Sequence, residues 1–384
     1  MLNNIVKKLY CFLCLLLPHR KTVIFESGDN IFDNGFVFAN YAANHPFYKK
    51  LKLVCIGKRT NIKRESLDSR LSYFTYDDSF KKRMMFLKYS IRAKYIFFSY
   101  DNYWKYFKLR KNTKIFFIRH GAFPIKSVKD YYDSMFNNKN HYYVLSTTPF
   151  VKKQLEDNYH YSNVSYFLSG MPRCDLIKKD KSSLVFEKLG INKEAKLIII
   201  ATTFRHFDNP NISFFNDEFP IKLSNNDIIE LNKKASEKSI VLIFKLHHAQ
   251  FCNISDFSYS NLMFIDNNLL EENNLNNFDL FNASSALVTD YSGIFMDYLL
   301  TNKPLGFILN DMEKYNDKRG FTISNFVDYL PGEKILSKEQ FISFVLNGFN
   351  EDKKFINERS LAKTNFIGEY ENCSEKLTEE VAKL

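Results

Sequence analysis

The strongest constraint on the fold is a rhythm of short apolar runs. Thr22–Phe25 (TVIF), Leu51–Ile56, Lys94–Ser99 (KYIFFS), Lys114–Ile118 (KIFFI), Tyr142–Ser146 and Val164–Leu168 each read as a buried strand. Polar or amphipathic stretches of helical length separate them, Phe80–Ala93 among them. Runs that are apolar throughout, rather than alternating, belong to strands covered on both faces, and helix-length connections let such strands pair in parallel. The second half repeats the pattern. Leu197–Ala201 (LIIIA), Ser239–Lys245 (SIVLIFK), Asn261–Ile265, Ala286–Thr289 and Lys303–Leu309 (KPLGFIL) are strands, and Asp227–Lys238 and Ile294–Thr301 are helices. The class is α/β, built from parallel βαβ units.

A chain of 384 residues is too long for one small core and suits two domains of roughly 150–200 residues each. Lys178–Leu189 is polar, helical and short of hydrophobic anchors, so the boundary is placed there, giving domains 1–180 and 181–384. Two Rossmann-like domains facing a central cleft make the GT-B architecture, a fold analogy that does not name a reaction. No internal repeat is evident, and Asn267–Asn277 reads as a polar loop or helix start.

A hydrophobic share of 45% and a charged share of 25% are those of a folded protein. The 39 phenylalanines and 23 tyrosines read as the bias of an AT-rich genome. A net charge of +11 favours acidic partners, such as a phosphorylated substrate, anionic lipid or nucleic acid. No nucleic-acid-binding module accompanies the charge, so nucleic acid is not expected as a partner. The six cysteines are scattered and read as reduced thiols. Leu9–Leu17 is apolar and flanked by Lys7, Lys8, Arg20 and Lys21. It falls short of the about 20 residues a membrane span needs, and Pro18-His19-Arg20 is a poor cleavage site. A short basic helix lying on an anionic membrane surface fits better; the alternative is a first helix packed on the core.

Several polar residues stand where open α/β sheets carry their sites, beyond the carboxyl ends of strands. His120 follows one strand, and Gly121 beside it lets a substrate approach the backbone. His120 is a candidate general base or a plain turn histidine. Lys245 ends a second strand, with His247 and His248 just beyond it, and Thr203 with Arg205 follows a third; both sets suit an anionic ligand. Asp290, Ser292 and Gly293 lie between a short strand and a helix, where they would bind phosphate or only cap the helix. Arg173 lies in the loop Gly170–Arg173, which either orients a ligand or turns the chain. No Walker A loop, GxGxxG, HExxH or paired CxxC is present.

Together these segments resemble the CDP-glycerol glycerophosphotransferase family of teichoic acid primases and polymerases. The His-Gly…Pro…Lys motif appears as His120-Gly121-Ala122-Phe123-Pro124-Ile125-Lys126, with Arg119 where the family usually has tryptophan. Gly-Tyr-Pro-Arg-Asn-Asp appears as Gly170-Met171-Pro172-Arg173-Cys174-Asp175, Pro-Thr-Trp-Arg as Thr202-Thr203-Phe204-Arg205, and Lys-x-His-Pro as Lys245-Leu246-His247-His248. The block from Asp290 to Gly332 carries Asp-Tyr-Ser-Gly, Asp297-Tyr298, Lys303-Pro304, Arg319-Gly320-Phe321 and Pro331-Gly332. Gly293 replaces a serine there. The motifs span roughly Phe25 to Gly332 in order, which makes the joint signal specific.

The resemblance implies transfer of glycerol phosphate from CDP-glycerol to a hydroxyl of a lipid-linked or polymeric glycan acceptor, with His120 as base. It implies that His247 and Lys245 contact the diphosphate, that Arg205 and Arg319 offset phosphoryl charge, and that Asp290, Ser292 and Gly293 hold the nucleotide end. Gly121, Lys126, Arg173 and Thr203 complete the expected substrate-binding set. No residue pattern calls for a cofactor or a metal site, and a divalent ion and a homo-oligomer stay open. Expected residence is the cytoplasmic face of a bacterial cell membrane. The alternatives are CDP-ribitol as donor, or a GT-B glycosyltransferase using a nucleotide sugar.

Overall fold

The structure, a computed structural model, describes residues 5, 8–10, 12–13, 16–18, 21–28, 30–57, 66–75, 79–106, 109–203, 214–215, 219–246 and 259–384. The chain divides into two compact units. One comprises Met1–Ala122, Val128–Asp175 and Gly368–Leu384; the other comprises Phe123–Ser127 and Leu176–Ile367.

The first unit holds seven strands: β1 (Thr22–Glu26), β2 (Lys52–Gly57), β3 (Leu71–Thr75), β4 (Ala93–Phe98), β5 (Lys114–Phe117), β6 (Tyr142–Ser146) and β7 (Val164–Leu168). They form one parallel sheet in the order β3-β2-β1-β4-β5-β6-β7. The chain builds outward from β1 to β3, then returns to lay β4 on the other side of β1, so the order reverses between β1 and β4. Helices Asn34–Asn44, Phe80–Arg92, Lys129–Phe136 and Pro149–Asn158 belong to the same unit. Side chains start two of them: Ser79 Oγ accepts from the Lys82 N–H and Thr148 Oγ1 from the Val151 N–H.

The abundant aromatics are structural in this sheet. Phe25 pairs in register with Phe97, Phe97 with Phe116, and Phe116 with Tyr143. Their rings stack at 5.5, 4.9 and 5.2 Å, forming a ladder across β1, β4, β5 and β6. On the neighbouring register Phe98 stacks on Phe117 at 4.8 Å. In-register parallel pairing puts identical positions on one face, so rings at matching positions stack, each pair adding about 0.5–1.5 kcal/mol beyond its buried area.

The second unit holds β8 (Lys196–Ala201), β9 (Ile240–Lys245), β10 (Leu262–Ile265), β11 (Ser284–Thr289), β12 (Leu305–Ile308) and β13 (Glu333–Ile335). These are parallel in the order β10-β9-β8-β11-β12-β13, reversing between β8 and β11. Ile198, Ile200, Leu242, Phe244, Val288 and Ile308 fill its core together with Phe214, Phe215, Phe219 and Phe341.

The expected α/β class with parallel sheets is the one observed. Sequence reading misses β3 and β13, both at sheet edges. An edge strand is paired on one side only, so it needs no continuous apolar run; β3 is half-exposed over Leu71–Tyr73 and β13 is only three residues long. Ile294–Thr301 divides into the helix Ile294–Tyr298 and a 3-10 turn, Leu299–Thr301. The Asn-rich stretch forms two short helices, Asn267–Glu272 and Asn277–Ala283, started by the side chains of Asp266 and Asn276. No described helix is long and apolar enough to cross a membrane.

The last helix, Cys373–Lys383, belongs to the first unit, and the Gly170–Asp175 segment seats it. Asp175 accepts from the N–H groups of Cys373 (2.7 Å) and Ser374 (3.0 Å) at the helix start. A Cβ at Gly170 would stand 2.4 Å from Cys373 Sγ, so only glycine permits that approach. The Asp175→Ala variant loses both bonds. Its unfolding free energy in urea is expected to fall by about 1–2 kcal/mol, the scale of a lost cap, and Asp175→Asn to recover part of that.

Candidate active site

The reversal in strand order of a parallel sheet opens a crevice at its carboxyl edge. In the first unit β1 ends there on Glu26, fully buried at 0% exposure. Glu26 Oε2 accepts from the N–H groups of Ser99 (2.9 Å) and Tyr100 (3.0 Å), which follow β4. One carboxyl group therefore clasps the two strands flanking the reversal. Burial pushes its pKa from 4.5 up to about 8, outweighing the lowering by the backbone hydrogen bonds it accepts.

The clasp fixes Tyr100, and Tyr100 carries His120. The imidazole stacks on the tyrosine ring at 4.9 Å, inclined by 13°. Tyr131 Oη donates to the Tyr100 carbonyl at 2.5 Å. A Cβ at Gly28 would come within 2.8 Å of the Tyr100 ring, so a glycine is needed there too. His120 is exposed above this shelf, and a Cβ at Gly121 would meet nothing within 4 Å. A titratable ring on a rigid seat with open space beside it suits proton transfer.

Asn34 ties this loop to the next. Its Nδ2 donates to the Arg119 carbonyl at 2.7 Å, and its Oδ1 accepts from the Arg173 N–H at 3.0 Å. Arg173 pairs with the buried Asp33 at 3.4 Å. Arg119 has φ 57°, in the left-handed region that a bulky side chain rarely adopts, and the Asn34 bond holds its carbonyl there.

The second unit has a matching clasp. Asp290, which follows β11, accepts from the Thr203 N–H at 2.9 and 3.0 Å, from Thr203 Oγ1 at 2.8 Å and from the Ser292 N–H at 3.2 Å. Thr203 follows β8, so this carboxylate also spans a reversal. Lys245, at the end of β9, donates to Asn267 Oδ1 at 2.8 Å. Desolvation draws its pKa from 10.5 down to about 8, although Asp266 raises it. Ser292 Oγ accepts from the Ile294 N–H at 3.4 Å. Gly293 has φ −67°, and a Cβ there would meet only the Phe123 carbonyl oxygen at 3.9 Å, so the backbone would take a serine equally well.

Lys126 and Arg319 belong to two motifs that the second unit brings together. Lys126 pairs antiparallel with Phe321, Thr322 N–H donates to the Ile125 carbonyl at 2.8 Å, and Ser127 N–H donates to the Gly320 carbonyl at 3.1 Å. The Lys126 ammonium lies 5.8 Å from the centre of the Tyr315 ring. Tyr315 stacks on Tyr291 at 4.5 Å, and Tyr291 donates to Asp311 at 2.9 Å. Arg319, at the exposed end of the helix Met312–Arg319, has its side chain at the surface. His247 and Arg205 lie outside the described residues. Among the described residues no group of three His, Cys, Asp or Glu side chains is arranged to hold a metal ion.

Glu26, Asn34 and Tyr100 escape sequence reading. The legible signal for Glu26 is a carboxylate directly abutting the apolar run TVIF, at the end where crevices form. The raised pKa of Glu26 has a stability consequence. The folded value, about 8, lies above the ordinary 4.5, so the clasp's contribution is complete below about pH 4.5 and is lost as pH rises through 8. Glu26→Gln keeps the acceptor oxygen without the charge. Its melting temperature is expected to match the wild type near pH 4.5 and exceed it at pH 9, as read by thermal denaturation across pH.

The fold is shared with the wall teichoic acid polymerase TagF, whose solved structure matches with a TM-score of 0.74 at 16% identity, over 99% of this chain and 93% of that one. The teichoic acid glycerol-phosphate primase of Bacillus subtilis (strain 168) is 29% identical over 185 residues, 48% of this chain and 43% of the relative. The teichoic acid poly(ribitol-phosphate) polymerase of Bacillus spizizenii is 26% identical over 216 residues, 54% of this chain and 32% of the relative. The matched region thus spans less than half the length of each of these curated relatives. Across residues 9–383 the chain matches the CDP-glycerol:poly(glycerophosphate) glycerophosphotransferases, and it belongs to that family.

Proposed function

We propose that this chain transfers glycerol phosphate from CDP-glycerol to a hydroxyl of a lipid-linked or growing cell-surface polymer of the teichoic acid or capsule type, releasing CMP. The observation that carries this reading is the seat of His120. In a member of a family described by this donor and this transfer, an exposed imidazole is stacked on a clasped tyrosine at a sheet's carboxyl edge.

The acceptor hydroxyl attacks the β-phosphorus of the donor. Its proton passes to His120, the new P–O bond forms, and the bond to the bridging oxygen breaks so that CMP leaves with the α-phosphate. Such a step depends on positioning and on offsetting phosphoryl charge. Lys245, poised near pKa 8, gains full charge beside an anionic diphosphate. His247, Arg205 and Arg319 act on the same phosphates. Asp290 holds Thr203 and Ser292 in place for the nucleotide end, Gly293 and Gly121 leave room, and Arg173 and Lys126 complete the substrate-binding set. The first compact unit would bind the acceptor and the second the CDP-alditol donor.

A second donor, CDP-ribitol, has specific support, because the relatives include both a glycerol-phosphate and a ribitol-phosphate enzyme. Attachment to the cytoplasmic face of the membrane is supported by the apolar lining of Leu13, Leu17, Phe80, Met84 and Met85 beside Lys81 and Lys88, with Phe80 79% and Leu16 62% exposed.

Two measurements test this reading. Purified protein is given CDP-glycerol, CDP-ribitol, UDP-glucose or CMP-sialic acid with membrane extract, and nucleotide release is followed. CMP release from a CDP-alditol is expected; release from a sugar nucleotide alone contradicts the assignment. Deleting residues 1–17 is expected to move the protein from the membrane to the soluble fraction, and persistence on the membrane would place the attachment elsewhere.

A further inference from the structure

Arg119 is the buried charge that the reaction scheme leaves unused. Its side chain is only 4% exposed, and among the described residues its guanidinium makes no hydrogen bond or ion pair; one terminal nitrogen is wholly buried without a partner. The ionisable groups around it are the phenols of Tyr131 and Tyr132, on the helix Lys129–Phe136, and Tyr166, on β7. Burial raises the pKa of all three, so they are neutral at physiological pH and supply no counter-charge. The Tyr166 hydroxyl is likewise buried and unpartnered. The carboxylates near these rings, Glu26, Asp101 and Glu156, form no ion pair with Arg119: burial holds Glu26 mostly protonated, and Glu156 pairs with Lys152.

Arginine side chains in proteins stay charged, so burying one leaves a cation to be matched. An uncompensated buried guanidinium is strongly destabilising. A fold that keeps one has reason to if an anion arrives from outside, and a planar fork of N–H donors matches the oxygens of a phosphate. The next residue in the chain is His120, so an anion on Arg119 lies close to the seat of the base. A hydroxyl presented to His120 by a glycerol phosphate terminus has its own phosphate only three carbons away.

We infer that Arg119, with the Tyr166 hydroxyl, is the binding site for the terminal phosphate of the acceptor, and so sets the acceptor's hydroxyl against His120. This rests on the proposed transfer for the identity of the ligand, and on the buried, unpartnered guanidinium for the site.

The test uses glycerol 3-phosphate as the acceptor-terminus probe, CDP-glycerol as the donor, and the full chain in wild-type, Arg119→Met and Arg119→Lys forms. Thermal denaturation is expected to show wild type stabilised by glycerol 3-phosphate and Arg119→Met not, with both stabilised alike by CDP-glycerol. Without ligand, Arg119→Met is expected to melt at or above the wild-type temperature, because an unpaired buried charge has been removed. In steady-state assays Arg119→Met is expected to raise the acceptor KM tenfold or more with the donor KM unchanged. Arg119→Lys, which keeps the charge without the fork, is expected to raise it several-fold. Equal stabilisation of Arg119→Met by glycerol 3-phosphate overturns the inference, as does an unchanged acceptor KM in Arg119→Lys or a selective loss of CDP-glycerol binding. If wild type binds glycerol 3-phosphate through Arg119 yet releases no CMP from CDP-glycerol, the site stands and the proposed reaction falls. Normal transfer with Arg119 variants unaffected removes the site and leaves the reaction.

Discussion

A single buried carboxyl group spans the strand-order reversal in each of the two parallel sheets. Glu26 does so by accepting two backbone N–H groups from beyond β4, and Asp290 by accepting the backbone and hydroxyl of Thr203 beyond β8. At a reversal, neighbouring connections leave in opposite directions, and the backbone there lacks the ladder partners that strands give each other. A carboxylate is well suited to the gap, since its two oxygens accept several donors and its short stem holds them close. The loops that carry the candidate site residues depend on these clasps.

Burial sets the electrostatics of the first clasp: Glu26 accepts from backbone N–H groups, yet desolvation dominates its pKa. At neutral pH the first-unit clasp is therefore held mostly in its uncharged form. Above it, Tyr100 is fixed through its amide, its carbonyl and its ring, and it passes that order to His120 by stacking. Asn34 then binds the His120 loop to the Arg173 loop. Few residues separate the packed sheet from the exposed imidazole, and each link is a short-range contact with a defined geometry.

Much of the fold is legible in the amino-acid sequence because central parallel strands are apolar on both faces. TVIF, KIFFI and LIIIA could be read directly as strands. Edge strands such as Leu71–Thr75 lack that signature, and their pairing depends on a neighbour far away in sequence. Parts of the site are legible by position: His120, Thr203 and Asp290 follow strands, and Lys245 ends one. Glu26 hides as the last residue of an apolar run. Asp175 reads as part of a ligand motif, but its carboxylate starts the last helix, a contact 198 residues distant that no local pattern reveals. The aromatic bias, whatever its origin in the genome, acquires meaning only once the register aligns Phe25, Phe97, Phe116 and Tyr143.

The central claim is that the clasped shelf exists to present His120 as the base. The most direct measurement is CMP release from CDP-glycerol by His120→Ala, alongside CDP-glycerol binding by calorimetry and a thermal melt of the same sample. The account predicts a folded protein that binds the donor about as well as wild type and releases CMP at least a hundredfold more slowly, the lower end of the usual general-base contribution of about 10²–10⁴. Undiminished CMP release, or lost donor binding with chemistry intact on the donor that does bind, would contradict it.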